Sequence, residues 1–334
     1  MSLMWLQMVK QYTVISIFCG TGGSSLGYKW AGYKELLAVD FDTHAVECFK
    51  LNFKDVQIWH KSVCDITSKE ILDCCNIKKG ELDILDGSPP CQGFSTAGKR
   101  EVKDKRNDLF KECIRLINGL QPKVFVMENV TGMVKGKMRG RFIEITKTLK
   151  DLNYKVKCKL MNSKYYGVPQ SRERLIFIGV RKDLNIEPSY PIPGNKIITV
   201  KKALEGCSKG KEYGSKQCLG LYEYLKPGQN ASTLPMKIKN KYGYNSLMFN
   251  LIKINPNKVS PTIPKSRAGT AGMLHWNEKR RLYISELKRI CSFPDNWILT
   301  GTEEQKQARL GNAVMPKFMQ AIAENIKTKI LDNV

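Results

Sequence analysis

Short apolar runs recur through the first half of this 334-residue chain, and the segments between them carry a different period. Val14 to Phe18, Leu36 to Asp40, Leu82 to Asp86, Val124 to Glu128, Lys155 to Met161 and Leu175 to Arg181 read as strands. Thr43 to Phe53, Asn107 to Leu120 and Arg141 to Leu152 space their apolar residues three and four apart, as a helix with one buried face does. Parallel strands need a crossover, and crossover helices cover both faces of the sheet they connect. The alternation therefore predicts an α/β fold with a doubly wound, mostly parallel sheet. Ligands in such a sheet sit at the carboxyl ends of the strands, so the residues there are the first candidates for a site.

The first strand runs into Phe18-Cys19-Gly20-Thr21-Gly22-Gly23, a glycine loop that lets a ligand approach the backbone before a helix begins. The full Gly-x-Gly-x-x-Gly spacing is absent. Asp40 closes the second strand about 20 residues further on, where a carboxylate accepts hydrogen bonds from ribose hydroxyls. Phe41 then offers a ring face to an adenine. These features suit a nicotinamide and an S-adenosyl cofactor equally well.

Cys91 lies in Gly87-Ser88-Pro89-Pro90-Cys91-Gln92-Gly93-Phe94-Ser95. A cysteine taken alone is most often buried and inert. Here two prolines fix φ and bar a helix, while the flanking glycines free the backbone, so the thiol is presented. Glu128-Asn129-Val130 ends another apolar strand and supplies an acid to that nucleophile. Each helper has a plainer rival. Glu128 could cap the next helix, Arg172 and Arg174 around Glu173 could form a surface ion-pair ladder, and Asn312 could be a turn residue. Phe318, Ile322, Ile326 and Ile330, four apart, read as a core-packing stripe.

The balance of 55 Lys and Arg against 31 Asp and Glu leaves a formal charge of +24, which favours a polyanionic partner. Nucleic acid is the expectation, with an anionic membrane surface as the rival. No apolar run reaches the ~18 residues of a membrane-crossing helix, and Met1 to Lys10 holds no basic segment leading into a long apolar one, so a cytoplasmic protein is expected. Eleven cysteines without a Cys-x-x-Cys, and three histidines scattered far from them, indicate neither a zinc site nor a disulfide framework. The stretch from Arg181 to Lys258 is rich in lysine and glycine, with Tyr190, Tyr213, Tyr222, Tyr224, Tyr242, Tyr244 and Phe249 interleaved. That composition suits a duplex-reading module, or a solvated basic surface around a small β core. The loop from Thr96 to Asn107 carries Lys99, Arg100, Lys103, Lys105 and Arg106 and reads as mobile.

In order along the chain stand the glycine loop, Asp40-Phe41, Cys64-Asp65-Ile66, Pro-Pro-Cys-Gln and Arg106 to Phe110. They are followed by Glu128-Asn129-Val130, Gln170-Ser171-Arg172-Glu173-Arg174, Arg281 through Glu286 to Phe293-Pro294, and Gly311-Asn312-Ala313-Val314. This ordered set resembles the DNA cytosine-5 methyltransferase family, in its compact restriction-modification form. The resemblance implies a Rossmann-like S-adenosylmethionine-dependent fold and S-adenosyl-L-methionine as cofactor, held by Phe18, Gly20, Gly22, Gly23, Asp40, Phe41, Asp65, Ile66, Pro90, Leu109, Asn312 and Val314. It implies a catalytic set of Cys91, Glu128, Arg172 and Arg174, with the Cys91 thiolate adding at C6 of a flipped-out cytosine, Glu128 protonating N3, Arg174 holding the O2 edge, and no metal. Asp40 and Phe41 stand where the family more often has Glu and Trp, and Cys64 where a glycine is frequent.

The same resemblance implies a catalytic domain over 1–184, a target-recognition domain over 185–302, and a segment over 303–334 that returns to the catalytic domain. Double-stranded DNA is the implied partner, for a monomeric enzyme acting beside a cognate restriction endonuclease without a stable complex. Two rivals are an RNA cytosine-5 methyltransferase, whose Cys-Phe-Thr signature is not visible here, and a catalytically silent DNA-binding protein, for which Cys91 and Glu128 would have no use.

Overall fold

The computed structural model describes residues 10–89, 109–134, 139–212, 216–243, 251–265 and 272–334. β1 (Thr13–Ile17), α1 (Gly23–Trp30), β2 (Lys34–Asp40), α2 (Thr43–Asn52), β3 (Gln57–His60), α3 (Ser68–Cys75) and β4 (Ile84–Gly87) come first. They are followed by α4 (Leu109–Leu120), β5 (Val124–Val130), α5 (Arg139–Asp151), β6 (Tyr154–Asn162) and β7 (Glu173–Arg181). The seven strands form one sheet in the order β3-β2-β1-β4-β5-β7-β6. The first five run parallel, whereas β7 is antiparallel to both β5 and β6. The doubly wound expectation holds, and its exception lies at the β6–β7 edge. No crossover helix separates those two strands, and a short connection can join only antiparallel neighbours.

The strands alternate sides as a two-sided sheet requires. Val124 and Val126 of β5 enter the core under α1, while Phe125 and Met127 enter the opposite core with Leu116 and Ile117 of α4. The helix expected after the glycine loop is α1, although its own residues do not mark its bounds, because its glycines and serines are poor helix formers. Tertiary packing makes up the difference: a Cβ on Gly27 would sit 2.6 Å from the Pro316 carbonyl and 2.7 Å from Met319 Cβ.

Beyond β7 come α6 (Val200–Leu204), α7 (Lys216–Gly220), α8 (Met236–Lys241), β8 (Leu251–Lys253) and β9 (Gly272–Leu274). A separate small core forms there from Cys218, Leu221, Tyr222, Leu225, Leu234, Leu251 and Leu274. α9 (Ile284–Ile290), α10 (Glu303–Asn312) and α11 (Pro316–Lys329) complete the described chain. α11 starts with Pro316, a preferred first helical residue. Phe318, Ile322, Ile326 and Ile330 are all buried, as the four-residue spacing predicts. The helix is tied to the N-terminal strands by Tyr33, which donates to the Ala323 carbonyl at 3.0 Å, and by Tyr12, which donates to the Leu331 carbonyl at 2.7 Å. Among the described residues no helix is long and apolar enough to cross a membrane.

Candidate active site

The glycine loop leaves β1 through Phe18, whose φ of 56° is left-handed. A non-glycine residue there stores strain of order 1–3 kcal/mol, so the surroundings must enforce it. They do so with backbone bonds, from Cys19 N to the Val39 carbonyl at 3.1 Å and from Gly22 N to the Cys19 carbonyl at 3.0 Å. Gly20 also takes positive φ, and a Cβ added to it would meet nothing within 4 Å, so its bare side faces open space. Gly23 differs: a Cβ there would overlap the Val314 carbonyl, which makes this glycine a contact point with the C-terminal segment.

Asp40 ends β2 and is buried. Its carboxylate accepts from Gly20 N at 2.8 Å and from Asp42 N at 2.9 Å. Burial raises the Asp40 carboxyl above its usual range, and the two amides pull against that shift. Asp40 thus braces the loop as well as standing beside it, a role the sequence did not disclose. Phe41 next to it is 64% exposed, a bare ring at the strand end. Asp65 closes a single 3-10 turn, Val63–Asp65, and is exposed, with Ile66 buried behind it. Cys64 does not take positive φ, so its replacement of a glycine carries no backbone strain. Arg115 on α4, unnoticed in the sequence, pins this turn by donating Nη2 to the Val63 carbonyl at 3.0 Å and to the Ile66 carbonyl at 2.9 Å.

Leu109 opens α4 and is half-buried; Asn312 is exposed at the end of α10, and Val314 is buried against Gly23. Pro90, Cys91 and the loop from Thr96 to Asn107 lie outside the described residues, as do Tyr213, Tyr244 and Phe249. What is described leads up to the nucleophile: β4, between β1 and β5, ends at Gly87.

On β5, Glu128 pairs with Ile176 and Val130 with Arg174. Glu128 and Arg174 are therefore diagonal neighbours on one face, within reach of long side chains. Arg174 Nε lies 2.5 Å from Glu128 Oε1, with both side chains largely buried. The antiparallel course of β7 is what brings its first residues to the same sheet edge as the carboxyl ends of the parallel strands. Glu128 is thus an ion-pair partner, contrary to the helix-cap alternative. Arg172 is buried too, which excludes the surface-ladder alternative, and its Nη2 donates to the Gly311 carbonyl at 2.9 Å. Burial, with the Arg174 charge beside it, lowers the Arg172 guanidinium to about 9.

A second acid stands nearby. Asp86 on β4 is buried and accepts from the Tyr28 hydroxyl at 3.2 Å. Burial first, and then the Glu128 charge against hydroxyl donors, sets its carboxyl at about 7. Its signal in the sequence is its place at the carboxyl end of the expected strand Leu82 to Asp86.

A seven-stranded, mostly parallel sheet with a glycine loop after β1 and an acid ending β2 is a Rossmann-like fold of the kind that binds an adenosine-containing cofactor. The chain belongs to the C-5 cytosine-specific DNA methylase family, whose sequence model matches residues 12–328. The Type II methyltransferase M1.HphI of Haemophilus parahaemolyticus is 35% identical over 333 residues, covering 94% of this chain and 86% of the relative. M.FnuDI of Fusobacterium nucleatum is 32% identical, over 96% of this chain and 95% of its own. Among solved structures, a prophage-encoded protein of E. coli named for DNA modification methyltransferase activity superposes with a TM-score of 0.74 at 26% identity, over 96% of this chain and 100% of that one. A Spodoptera frugiperda DNMT2 mutant shares the fold with a TM-score of 0.68 at 20% identity, over 95% of this chain and 99% of its own. The activity is DNA cytosine-5 methylation with S-adenosylmethionine as methyl donor.

Proposed function

We propose that this enzyme modifies a cytosine within one duplex sequence, as the methylating half of a restriction-modification pair, through attack of Cys91 on C6 of an extruded base. C5 of cytosine is a weak nucleophile, and thiolate addition at C6 turns the ring into an enamine that can take up a methyl group at C5. Charge that builds on the ring has to be met at N3 by a proton. The observation carrying this reading is the Glu128–Arg174 pair, buried at the sheet edge on the strand beside the one that leads to Cys91. Arg174 fixes the carboxyl group and keeps further donors for the O2 edge, since a guanidinium has five N–H groups. Glu128 supplies the proton that goes to N3. Arg172 anchors the Gly311 carbonyl. After transfer the C5 proton departs and the thiol is eliminated.

The residues present fit the cofactor. Open space beside Gly20 and the bare Phe41 ring follow the ends of β1 and β2, Asp65 is exposed in the turn after β3, and Asn312 is exposed at the end of α10. Phe18, Gly20, Gly22 and Gly23 would shape its amino-acid end, Asp40 the ribose, and Phe41, Asp65 and Ile66 the adenine, with Pro90, Leu109, Asn312 and Val314 closing the pocket. When bound it supplies an electrophilic methyl group.

The division into a catalytic part over 1–184, a recognition part over 185–302 and a returning segment over 303–334 belongs to the same proposal. The separate small core around β8 and β9 supports it, as do the contacts of α11 with α1. The enzyme acts as a monomer on double-stranded DNA, and its cognate endonuclease meets the same site without a stable complex. The nucleophile is tested with duplex DNA bearing 5-fluorocytosine at the target. The fluorine cannot leave as a proton does, so the wild type should form a denaturant-resistant adduct and Cys91→Ser none. A normal adduct in that variant would move the nucleophile elsewhere.

A further inference from the structure

We propose that Arg309 is a positioning residue for the cofactor site, holding the glycine loop in its binding shape through Asp42 and Asp40. The inference deepens the reading above and rests on its assignment of Asp40 and the glycine loop to S-adenosylmethionine. Arg309 lies in the last turn of α10, just before Gly311 and Asn312. Its Nη1 is 2.5 Å from Asp42 Oδ1, and its side chain is only 13% exposed. Asp42 is the N-cap of α2 and accepts from Ala45 N at 2.9 Å. Its own amide donates to Asp40 Oδ1 at 2.9 Å, and the other Asp40 oxygen accepts from Gly20 N at 2.8 Å. A continuous set of polar contacts thus runs from α10 to the one glycine of the loop whose missing side chain opens onto free space.

Partial burial of Asp42 opposes ionisation, yet the Arg309 hydrogen bond and the Ala45 amide together hold its carboxyl below the usual range. The pair is therefore charged at neutral pH, and charge-assisted bonds of this type are stronger and more directional than neutral ones.

The rival is that Arg309 merely fastens the C-terminal segment to α2. That fastening is already provided elsewhere. Gln305 Nε2 lies 2.7 Å from His44 Nε2, Thr300 N donates to Cys48 Sγ at 3.2 Å, and Asn52 exchanges bonds with both the amide and the carbonyl of Ile298. None of these contacts reaches Asp40. Arg309 is distinguished by its connection to the loop.

The full-length enzyme tests this by a split between kinetic constants, with S-adenosylhomocysteine as the calorimetric probe. Arg309→Gln should raise KM for S-adenosylmethionine, and weaken the probe, by roughly tenfold, the size expected for losing one charge-assisted bond. KM for DNA should stay within about twofold. Arg309→Lys should recover part of the loss, and Asp42→Asn should match Arg309→Gln, with the double variant no worse than either single one. Gln305→Ala, which loosens the same segment without touching this path, should leave cofactor binding unchanged. A lowered melting temperature in Arg309→Gln with an unaltered KM would overturn the proposal, and so would an equal rise in KM from Gln305→Ala. Asp40→Asn separates the two levels: if it left probe binding intact, the Asp40 assignment itself would fall, whereas a loss there with none in Arg309→Gln would sink only the role of Arg309.

Discussion

Two arginines separated by a single glutamate do different work here. Arg174 faces Glu128, while Arg172 points away into the core toward the Gly311 carbonyl. Replacing Glu128 with Gln keeps the shape and a donor but removes the transferable proton. Methylation should fall by roughly 10²-fold or more while DNA binding changes little, as tritium incorporation and filter binding would report. Equal losses in both would make Glu128 structural. Arg172→Ala should cost stability, about 1.5–3 kcal/mol from a buried charged hydrogen bond, seen as a lower denaturant midpoint. Arg174→Ala should depress turnover at a milder stability cost. The residue types were legible because their chemistry is specific: a glycine loop, an acid about 20 residues on, and a thiol in a proline turn. Arg115 and Arg309 were not, since each acquires its role from a partner distant in sequence, and a lone charge has no period or spacing to betray it.

At the level of elements, length and period decided what could be read in advance. β5 and β7 carry long apolar runs and were found nearly at their observed bounds. β3 is a four-residue edge strand, only partly buried, and offers no pattern; α1, rich in small residues, is signalled only by the glycine loop before it and not by a period of its own. The antiparallel turn of β7 was equally invisible, because alternation does not encode strand direction. Those small residues in α1 lead to a sharp expectation. Gly27→Ala would force a methyl group into the backbone of α11, and overpacking of that kind costs about 1–3 kcal/mol. On an exposed helix the same change would stabilise. Chemical denaturation therefore distinguishes a tight α1–α11 contact from a loose one by the sign of the effect.

Over the whole molecule, two buried acids shape the response to pH. Glu35 is raised to about 8 and Asp86 to about 7, burial being the leading cause in both. Ser25 donates to Glu35 Oε1 at 2.9 Å, while Oε2 has no hydrogen-bond partner. Both acids keep their protons in the folded state at pH values where the unfolded chain, with ordinary carboxyls of 4.5 and 3.8, has released them. The folded state then binds more protons, so this contribution to stability is complete in acid and is lost as pH rises toward 7 and then 8. Melting temperatures measured from about pH 5 to about pH 9 should decline through that window, and Glu35→Gln should flatten the upper part. A flat wild-type profile would remove both groups from the account.

The hydrogen bond from Tyr12 to the Leu331 carbonyl spans 319 positions, and the face of α1 turned away from the sheet is covered by α11. A ribosome adding about 5–20 residues per second needs on the order of a quarter-minute to a minute to cover that interval. Throughout it, the nascent chain carries a glycine loop without its C-terminal braces, followed by a helix with one face bare. Synthesis order thus delays methylating competence until α11 has been made, and a message cut short before α11 would yield a product for chaperones and proteases rather than a partial enzyme loose on the chromosome.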